Sequence, residues 1–152
     1  GIIFYTRAKG EIWYWWVFDR ASIIIPFAAF LVRLGNFANS EIIGKVNDCH
    51  FCIVFQEVGP FPRYPVQLME AFIYLLLAMM MWILYQKKWK IKQFGFYSAF
   101  MLIGINLPRF FIEYLKESSV IIFGLNTGQV FSLSFCLIGG VIFILANKRK
   151  LN

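Results

Sequence analysis

Charged residues are scarce in this sequence, since Asp, Glu, Lys and Arg together make up 15% of its 152 residues. A typical soluble domain contains about a quarter charged residues. Hydrophobic residues reach 60% of the chain and aromatic residues 20%, and a water-soluble domain of this size could not bury so much apolar surface. The composition therefore excludes soluble, disordered, collagen-like and coiled-coil chains, and it predicts a protein embedded in a membrane.

Cysteine and histidine are also rare, with three Cys and one His in the chain. Three Cys are too few for a disulfide scaffold, and a metal centre would need a second Cys or His cluster. The C-x-x-C spacing of Cys49 and Cys52 fits a loop disulfide or two free thiols better than zinc. The sequence also lacks a glycine-rich phosphate loop, so we predict neither a metal nor a cofactor.

What the sequence does contain is a series of long apolar segments. A helix needs about 20 mostly apolar residues to cross a bilayer, and the segments that meet or approach this length are 21–40, 64–86, 93–115 and 118–147. The helix of the last segment is expected to begin near Thr127, and GIIFY at 1–5 has the composition of the tail of another span. These segments predict an all-α, polytopic membrane bundle of about four transmembrane helices plus the tail of a fifth, forming a single domain over residues 1–152.

The positive charge of the chain, formally +7, would suggest nucleic acid as a partner of a soluble protein. In a membrane protein it more often marks cytoplasmic loops and anionic lipid headgroups, so we expect no nucleic acid. Nine basic residues form three clusters on alternate loops: Arg7, Lys9, Lys87, Lys88, Lys90, Lys92, Lys148, Arg149 and Lys150. Segments 41–63 and 116–126 are therefore predicted to face outward.

Polar side chains lie near the predicted outer ends of these spans, where burying them is costly. They are Arg33, Asn36, Asn39, Glu41, Gln67, Glu70, Arg109 and Glu113. The planar donor fork of arginine binds phosphate in a bidentate manner, and a phospholipid headgroup is the phosphate most available at this depth. Alternatively, Arg109 and Glu113 form a structural ion pair on one helix face, and Arg33 extends to the interface.

Three glycines predict close packing, one among these polar residues and two on the last span. Gly35, between Arg33 and Asn36, would let another backbone approach closely. Gly139 and Gly140 on the last span would permit close contact between helices.

The segment RLGNFANSEIIGK at 33–45 resembles the signature of bacterial prolipoprotein diacylglyceryl transferases, which reads G-R-x-G-N-F-x-N-x-E-x-x-G, with Val32 at the usual first Gly. Three further blocks follow in the family's order: YPVQLMEA at 64–71, RFFIEYLKE at 109–117 and NTGQVFSLS at 126–134. Tyr64 stands at the family's His position and Lys116 at its second Arg. Together the blocks extend the resemblance over almost all of residues 19–147.

The resemblance implies a multi-pass enzyme of the bacterial inner membrane, usually with seven spans and with its active site toward the outer leaflet. Such an enzyme transfers the diacylglyceryl group of phosphatidylglycerol to the lipobox cysteine thiol of a prolipoprotein, forming a thioether and releasing glycerol phosphate. Its implied partners are phosphatidylglycerol, the prolipoprotein signal peptide with its lipobox cysteine, and membrane lipid. Because the nucleophile belongs to the substrate, the enzyme needs no catalytic cysteine of its own.

Matching the blocks residue by residue implies a catalytic set of Arg33, Asn36, Glu41, Gly44, Arg109 and Glu113. Within that set the two arginines would hold the lipid phosphate, and Gln67, Glu70 and Gln129 would support substrate binding. The family's proposed base, a His in an H-G motif on an earlier span, has no match, and His50 does not lie in such a motif. The chain is therefore expected to be the C-terminal part of the enzyme and to be inactive alone.

A different class of function uses the same polar layer as a lipid or ion path, in a non-enzymatic transporter or lipid-binding subunit. A purely structural helical bundle is the third possibility. An H-G motif on a preceding span in the gene would favour the transferase.

Overall fold

The computed structural model describes residues 11–89, 94–117, 121–122 and 124–148, and most of them are helical. The helices are α1 (Glu11–Ala38), α2 (Val66–Gln86), α3 (Phe96–Ile112) and α4 (Thr127–Lys148). Two short antiparallel ladders accompany them: β1 (Ile53–Val54) pairs with β2 (Pro62–Arg63), and β3 (Ile121–Ile122) pairs with β4 (Leu125–Asn126). The predicted all-α membrane class is confirmed, since the only strands described are these two-residue segments.

Three of the helices are long and apolar enough to cross a membrane, namely Tyr14–Ala38, Val66–Gln86 and Thr127–Lys148. The 17-residue helix α3 is at the lower end of the length that spans a bilayer, about 17 to 25 residues, and a 3-10 turn at Glu113–Leu115 extends it. The expected tail of a further span at 1–5, and the clustered basic residues Arg7, Lys9, Lys90, Lys92, Arg149 and Lys150, lie outside the described residues.

Helix α1 extends well before the segment that the sequence predicted, which began at residue 21, directly after Asp19 and Arg20. Both charges are accommodated within the bundle. Asp19 is buried and accepts hydrogen bonds from the backbone N–H groups of Gly95 (2.8 Å) and Ser98 (2.9 Å), so it caps the start of α3. The guanidinium of Arg20 lies 4.8 Å from the ring centroid of Tyr85 on α2.

The four helices pack mainly as two pairs, α1 with α2 and α3 with α4, and α3 also contacts the first pair. A Cβ added to Gly139 on α4 would lie 2.9 Å from Cγ1 of Ile103 and 3.2 Å from the carbonyl oxygen of Ala99, both on α3. The close helix contact predicted at Gly139 is therefore confirmed. The same prediction is wrong for Gly140, where a Cβ would have nothing within 4 Å among the described residues.

The end of α1 turns the chain back over its own last turn. Ser40 adopts the left-handed conformation with φ of +54°, the N–H of Glu41 donates to the carbonyl of Asn36 (2.8 Å), and that of Ser40 donates to Phe37 (3.1 Å). This pair of bonds is a Schellman motif. It places Glu41 beside Asn36 at the start of loop 41–63.

Loop 41–63 is tied to both the start of α2 and the end of α3. The N–H of Lys45 donates to the carbonyl of Leu115 (2.8 Å), and the N–H of Tyr64 donates to the carbonyl of Lys45 (3.2 Å). Farther along the loop, Cys49 and Cys52 form a disulfide, which decides between the two alternatives that the C-x-x-C spacing left open. The backbone bonds of the loop hold Asn36, Glu41 and Gly44 close to the residues that follow α3.

Candidate functional site

Buried charged side chains from three separate segments meet at one end of the bundle. Glu70 on α2 is fully buried, with Oε2 2.9 Å from Nε of Arg33 on α1 and Oε1 2.9 Å from Nζ of Lys116. Nζ of Lys116 also lies 2.8 Å from Oε2 of Glu113. The structure thus brings together residues that are far apart in the sequence, in a continuous network of alternating charge.

On the loop side of this network, amide groups orient Arg33. Nη1 of Arg33 donates to Oδ1 of Asn36 (3.4 Å), and Nδ2 of Asn36 donates to Oε2 of Glu41 (3.0 Å). The fully buried Gln67 donates from Nε2 to the backbone carbonyl of Glu41 (2.6 Å). These contacts fix the position of Arg33, with Glu41 at the exposed rim of the site and Gln67 buried beneath it.

Gly44 belongs to the site because of a close backbone approach. It is buried and forms an isolated antiparallel bridge with Lys116, and an added Cβ would collide with the carbonyl oxygen of Tyr64. A larger residue would push the backbone of Gly44 away from that of Tyr64 and so disturb its bridge with Lys116. The approach predicted at Gly35 is wrong, since a Cβ there would have nothing within 4 Å in the described part of the chain.

Gln129 acts at the start of α4. Asn126 and Gln129 form a reciprocal capping box, with the Gln129 N–H donating to Asn126 Oδ1 (2.8 Å) and the Asn126 N–H donating to Gln129 Oε1 (3.0 Å). Nδ2 of Asn126 also donates to the carbonyl of Glu113 (3.0 Å). Gln129 thus fixes α4 against the end of α3, and its role in substrate binding stays a prediction.

Arg109 differs from the other cations of the site because it lacks a carboxylate partner among the described residues. It lies in the last turn of α3, and its Nε is buried without a hydrogen-bond partner. The alternative in which Arg109 pairs with Glu113 is wrong, since Glu113 pairs with Lys116. The interfacial alternative for Arg33 is wrong too, because that side chain is buried and paired with Glu70.

One cation of the site has no ion pair among the described residues. Arg33 and Lys116 are paired with the buried carboxylates of Glu70 and Glu113, whereas Arg109 is not, and the remaining carboxylate, that of Glu41, is exposed and bonded to Asn36. An uncompensated charge in a poorly solvated position is costly. The arrangement is suited to an anion that could accept hydrogen bonds from a guanidinium.

Sequence reasoning missed two residues of this site. Lys116 was identified only as a replacement in a family block, although its spacing of three from Glu113 puts both on one side of a helical turn. Tyr74 was not identified, although it lies four residues after Glu70 and so on the same face of α2. Its hydroxyl interacts electrostatically with Arg33, Glu70 and Arg109.

The comparisons with known proteins agree on one family. Residues 1–145 match the family model of prolipoprotein diacylglyceryl transferase. Over 145 residues, the chain is 39% identical to the phosphatidylglycerol–prolipoprotein diacylglyceryl transferase of Bacteroides fragilis. This match covers 93% of this chain and 52% of that relative.

Proteins of the same name from Tolumonas auensis and Brucella ovis are each 35% identical, over 149 and 144 residues. These matches cover 96% and 91% of this chain, and 57% and 51% of the two relatives. The chain spans about half the length of the curated relatives it matches. On the extent of the family match and these identities, the chain belongs to the prolipoprotein diacylglyceryl transferase family.

Proposed function

We propose that the protein transfers the diacylglyceryl group of phosphatidylglycerol to the lipobox cysteine of prolipoproteins, and that the described residues bind the lipid phosphate. The observation that carries the proposal is Arg109, a cation without a carboxylate partner in the described part of the chain, beside a network whose other charges are paired. The names of the relatives support the choice of substrates.

In this reaction the thiolate sulfur of the prolipoprotein forms a bond to the glycerol carbon that carries the phosphate ester. The carbon–oxygen bond breaks, and its electron pair leaves with glycerol phosphate. Negative charge therefore accumulates on the phosphate as the bond breaks, and fixed donors aimed at that charge lower the barrier. In the proposal, the residues of this site bind and orient the phosphate and do not take the proton of the thiol.

The two arginines would divide this task unequally. Arg33 already uses Nε toward Glu70 and Nη1 toward Asn36, so its second amino group is the donor left for a phosphate oxygen. Arg109 forms no ion pair with a described residue and its buried Nε has no hydrogen-bond partner there, so its planar fork suits bidentate binding. Glu70 and Asn36 would act as positioning residues for Arg33.

The remaining predicted residues would shape the site. Glu41 and Gln67 hold the rim that orients Asn36, and Gly44 allows the close backbone approach next to Lys116. Glu113 would act through Lys116, which it holds near Glu70. Gln129 would support the site through the packing of α4 on α3.

We also propose that the protein lies in the bacterial inner membrane as one transmembrane domain with the network toward the outer leaflet. Lys87 and Lys88 follow α2 and Lys148 ends α4, at helix ends opposite to Glu70 and Gln129. Short basic segments stay in the cytoplasm. The disulfide of loop 41–63 supports the same orientation, because such bonds persist in oxidising compartments.

Substituting Arg109 tests the proposal. The full-length gene product, in detergent with phosphatidylglycerol labelled in its acyl chains, should transfer the label to a lipobox peptide. We expect Arg109→Gln to lower kcat by roughly 100- to 1,000-fold, the usual loss when one donor to a developing charge is removed. Arg20→Gln is the matched control, since Arg20 contacts Tyr85 at the opposite end of α2, and it should keep the wild-type rate.

Two outcomes would contradict the proposal. Full transfer by Arg109→Gln, or by Arg33→Ala, would show that the phosphate is held elsewhere. Solute or lipid flux in proteoliposomes without consumption of phosphatidylglycerol would instead favour a transporter.

A further inference from the structure

Tyr74 is a buried polar residue that neither the family blocks nor the proposed reaction uses. It lies on α2 with 2% of its surface exposed, and its hydroxyl has no hydrogen-bond partner in the described part of the chain. The guanidinium of Arg33 is close to the hydroxyl but outside hydrogen-bonding geometry. A buried hydroxyl without a partner is costly, and a bound ligand that accepts its hydrogen bond would remove that cost.

The surroundings of Tyr74 define what that ligand could be. The hydroxyl interacts electrostatically with Arg33 and Arg109, the two arginines of the site, and with Glu70. Arg109 contributes a second buried donor without a partner, its Nε. The hydroxyl of Tyr74 and the Nε of Arg109 match the oxygens of an anion, since a tyrosine hydroxyl can donate to one oxygen while a guanidinium donates to another.

The position of Tyr74 along α2 further limits which part of such an anion the hydroxyl could contact. It follows Glu70 by four residues, and α2 begins at the end of the bundle that carries the network. With a rise of 1.5 Å per residue, Tyr74 lies about 6 Å farther from that end than Glu70. A donor at this depth would meet the side of a lipid phosphate that faces the acyl chains.

We infer that the Tyr74 hydroxyl is a substrate-binding group, which donates a hydrogen bond to the phosphate of phosphatidylglycerol together with Arg109. This inference rests on the proposed function and adds a residue to it. The hydroxyl contributes no charge, so it orients the phosphodiester relative to the arginines and does not increase the net charge of the site.

The variant Tyr74→Phe removes the hydroxyl and keeps the ring. In the full-length gene product we expect the kcat/KM for phosphatidylglycerol to fall about tenfold to a hundredfold, the loss typical of a hydrogen bond to a charged group. The fall should appear mainly as a higher KM for the lipid, with the KM for the lipobox peptide unchanged. Tyr85→Phe is the matched control, because Tyr85 lies at the far end of the same helix and packs on Arg20.

Stability separates this role from a structural one. Because the hydroxyl has no partner among the residues that the structure describes, Tyr74→Phe should unfold in lipid-free detergent at the wild-type temperature or above it. An unfolding temperature clearly below the wild-type value would mean that the hydroxyl is bonded within the protein, and it would overturn the inference. An unchanged KM for phosphatidylglycerol would overturn it as well.

A binding measurement distinguishes failure of this inference from failure of the proposed function. If the wild-type protein transfers no lipid, the proposed function is wrong, but Tyr74 can still be tested by retention of labelled lipids on the purified protein. Tyr74→Phe should retain phosphatidylglycerol more weakly than the wild type and retain diacylglycerol, which has no phosphate, equally well. Equal retention of phosphatidylglycerol by both proteins would overturn the phosphate contact.

Discussion

At the scale of single residues, Lys116 joins the two buried carboxylates of the site. Its Nζ lies 2.9 Å from Glu70 and 2.8 Å from Glu113, and the side chain is 5% exposed. Without this cation, Glu113 would lose its only described ion pair and Glu70 one of its two. The family's usual residue at this position, arginine, would keep the charge.

We therefore expect Lys116→Met to lower the free energy of unfolding by about 3 to 5 kcal/mol, the typical effect of breaking a buried ion pair by removing one partner. Lys116→Arg should keep most of the stability. The measurement is denaturant unfolding in detergent, with Lys87→Met as the control because Lys87 is exposed at the end of α2. A loss in Lys116→Met no larger than the control's would mean that Glu70 and Glu113 are compensated by other groups.

At this scale the sequence predicted that polar residues near one end of the spans belong together, but it did not predict which of them form pairs. Three- and four-residue spacings predicted shared helix faces, and Arg33 does contact Asn36. The partner of Glu113 depends instead on the rotation of the turn after α3, which brings Lys116 rather than Arg109 to it. Such rotations are set by packing between segments, so spacing alone does not decide between a partner four residues before Glu113 and one three residues after it.

At the scale of helices, apolar length predicted α2 and α4 closely. The predicted segment 64–86 corresponds to α2 at Val66–Gln86, and α4 begins at Thr127 as expected. The start of α1 was predicted too late because its charges are satisfied by tertiary contacts, with Asp19 capping α3. A charge at a helix end looks interfacial in a sequence unless its partner on another helix is known.

Helices α3 and α4 supply an element-scale test, because Gly139 faces α3 and Gly140 does not. A methyl group at Gly139 would force Ile103 and the Ala99 carbonyl to move, so we expect Gly139→Ala to lower the free energy of unfolding by about 1 to 3 kcal/mol. Gly140→Ala should leave it unchanged or raise it by up to about 1 kcal/mol, since alanine favours a helix. Thermal unfolding in detergent measures both. Equal effects in the two variants would contradict the α3–α4 contact.

At the scale of the whole molecule, composition alone predicted the membrane class, because so apolar a chain has no soluble arrangement. The arrangement of the site could not be predicted from composition. It combines Arg33, Glu70 and Lys116 from three segments, and it depends on loop 41–63 returning between α2 and α3. The bonds that join the loop to Leu115 and Tyr64 are between backbone groups, which carry no sequence signature.

The proposed orientation of the whole molecule can be tested with thiols, because a disulfide in loop 41–63 persists in an oxidising compartment and is reduced in the cytoplasm. Cells expressing the full-length gene product are treated with an alkylating agent, and the protein is denatured and labelled with maleimide, with and without reduction. Reduction should add two labelled thiols, those of Cys49 and Cys52, while Cys136 is free in either case. The double variant Cys49→Ser with Cys52→Ser should add none of these.

Two thiols alkylated before reduction would place loop 41–63 in the reducing cytoplasm. The network of Arg33, Glu70 and Lys116 would then face the inner leaflet, which would contradict the orientation proposed above.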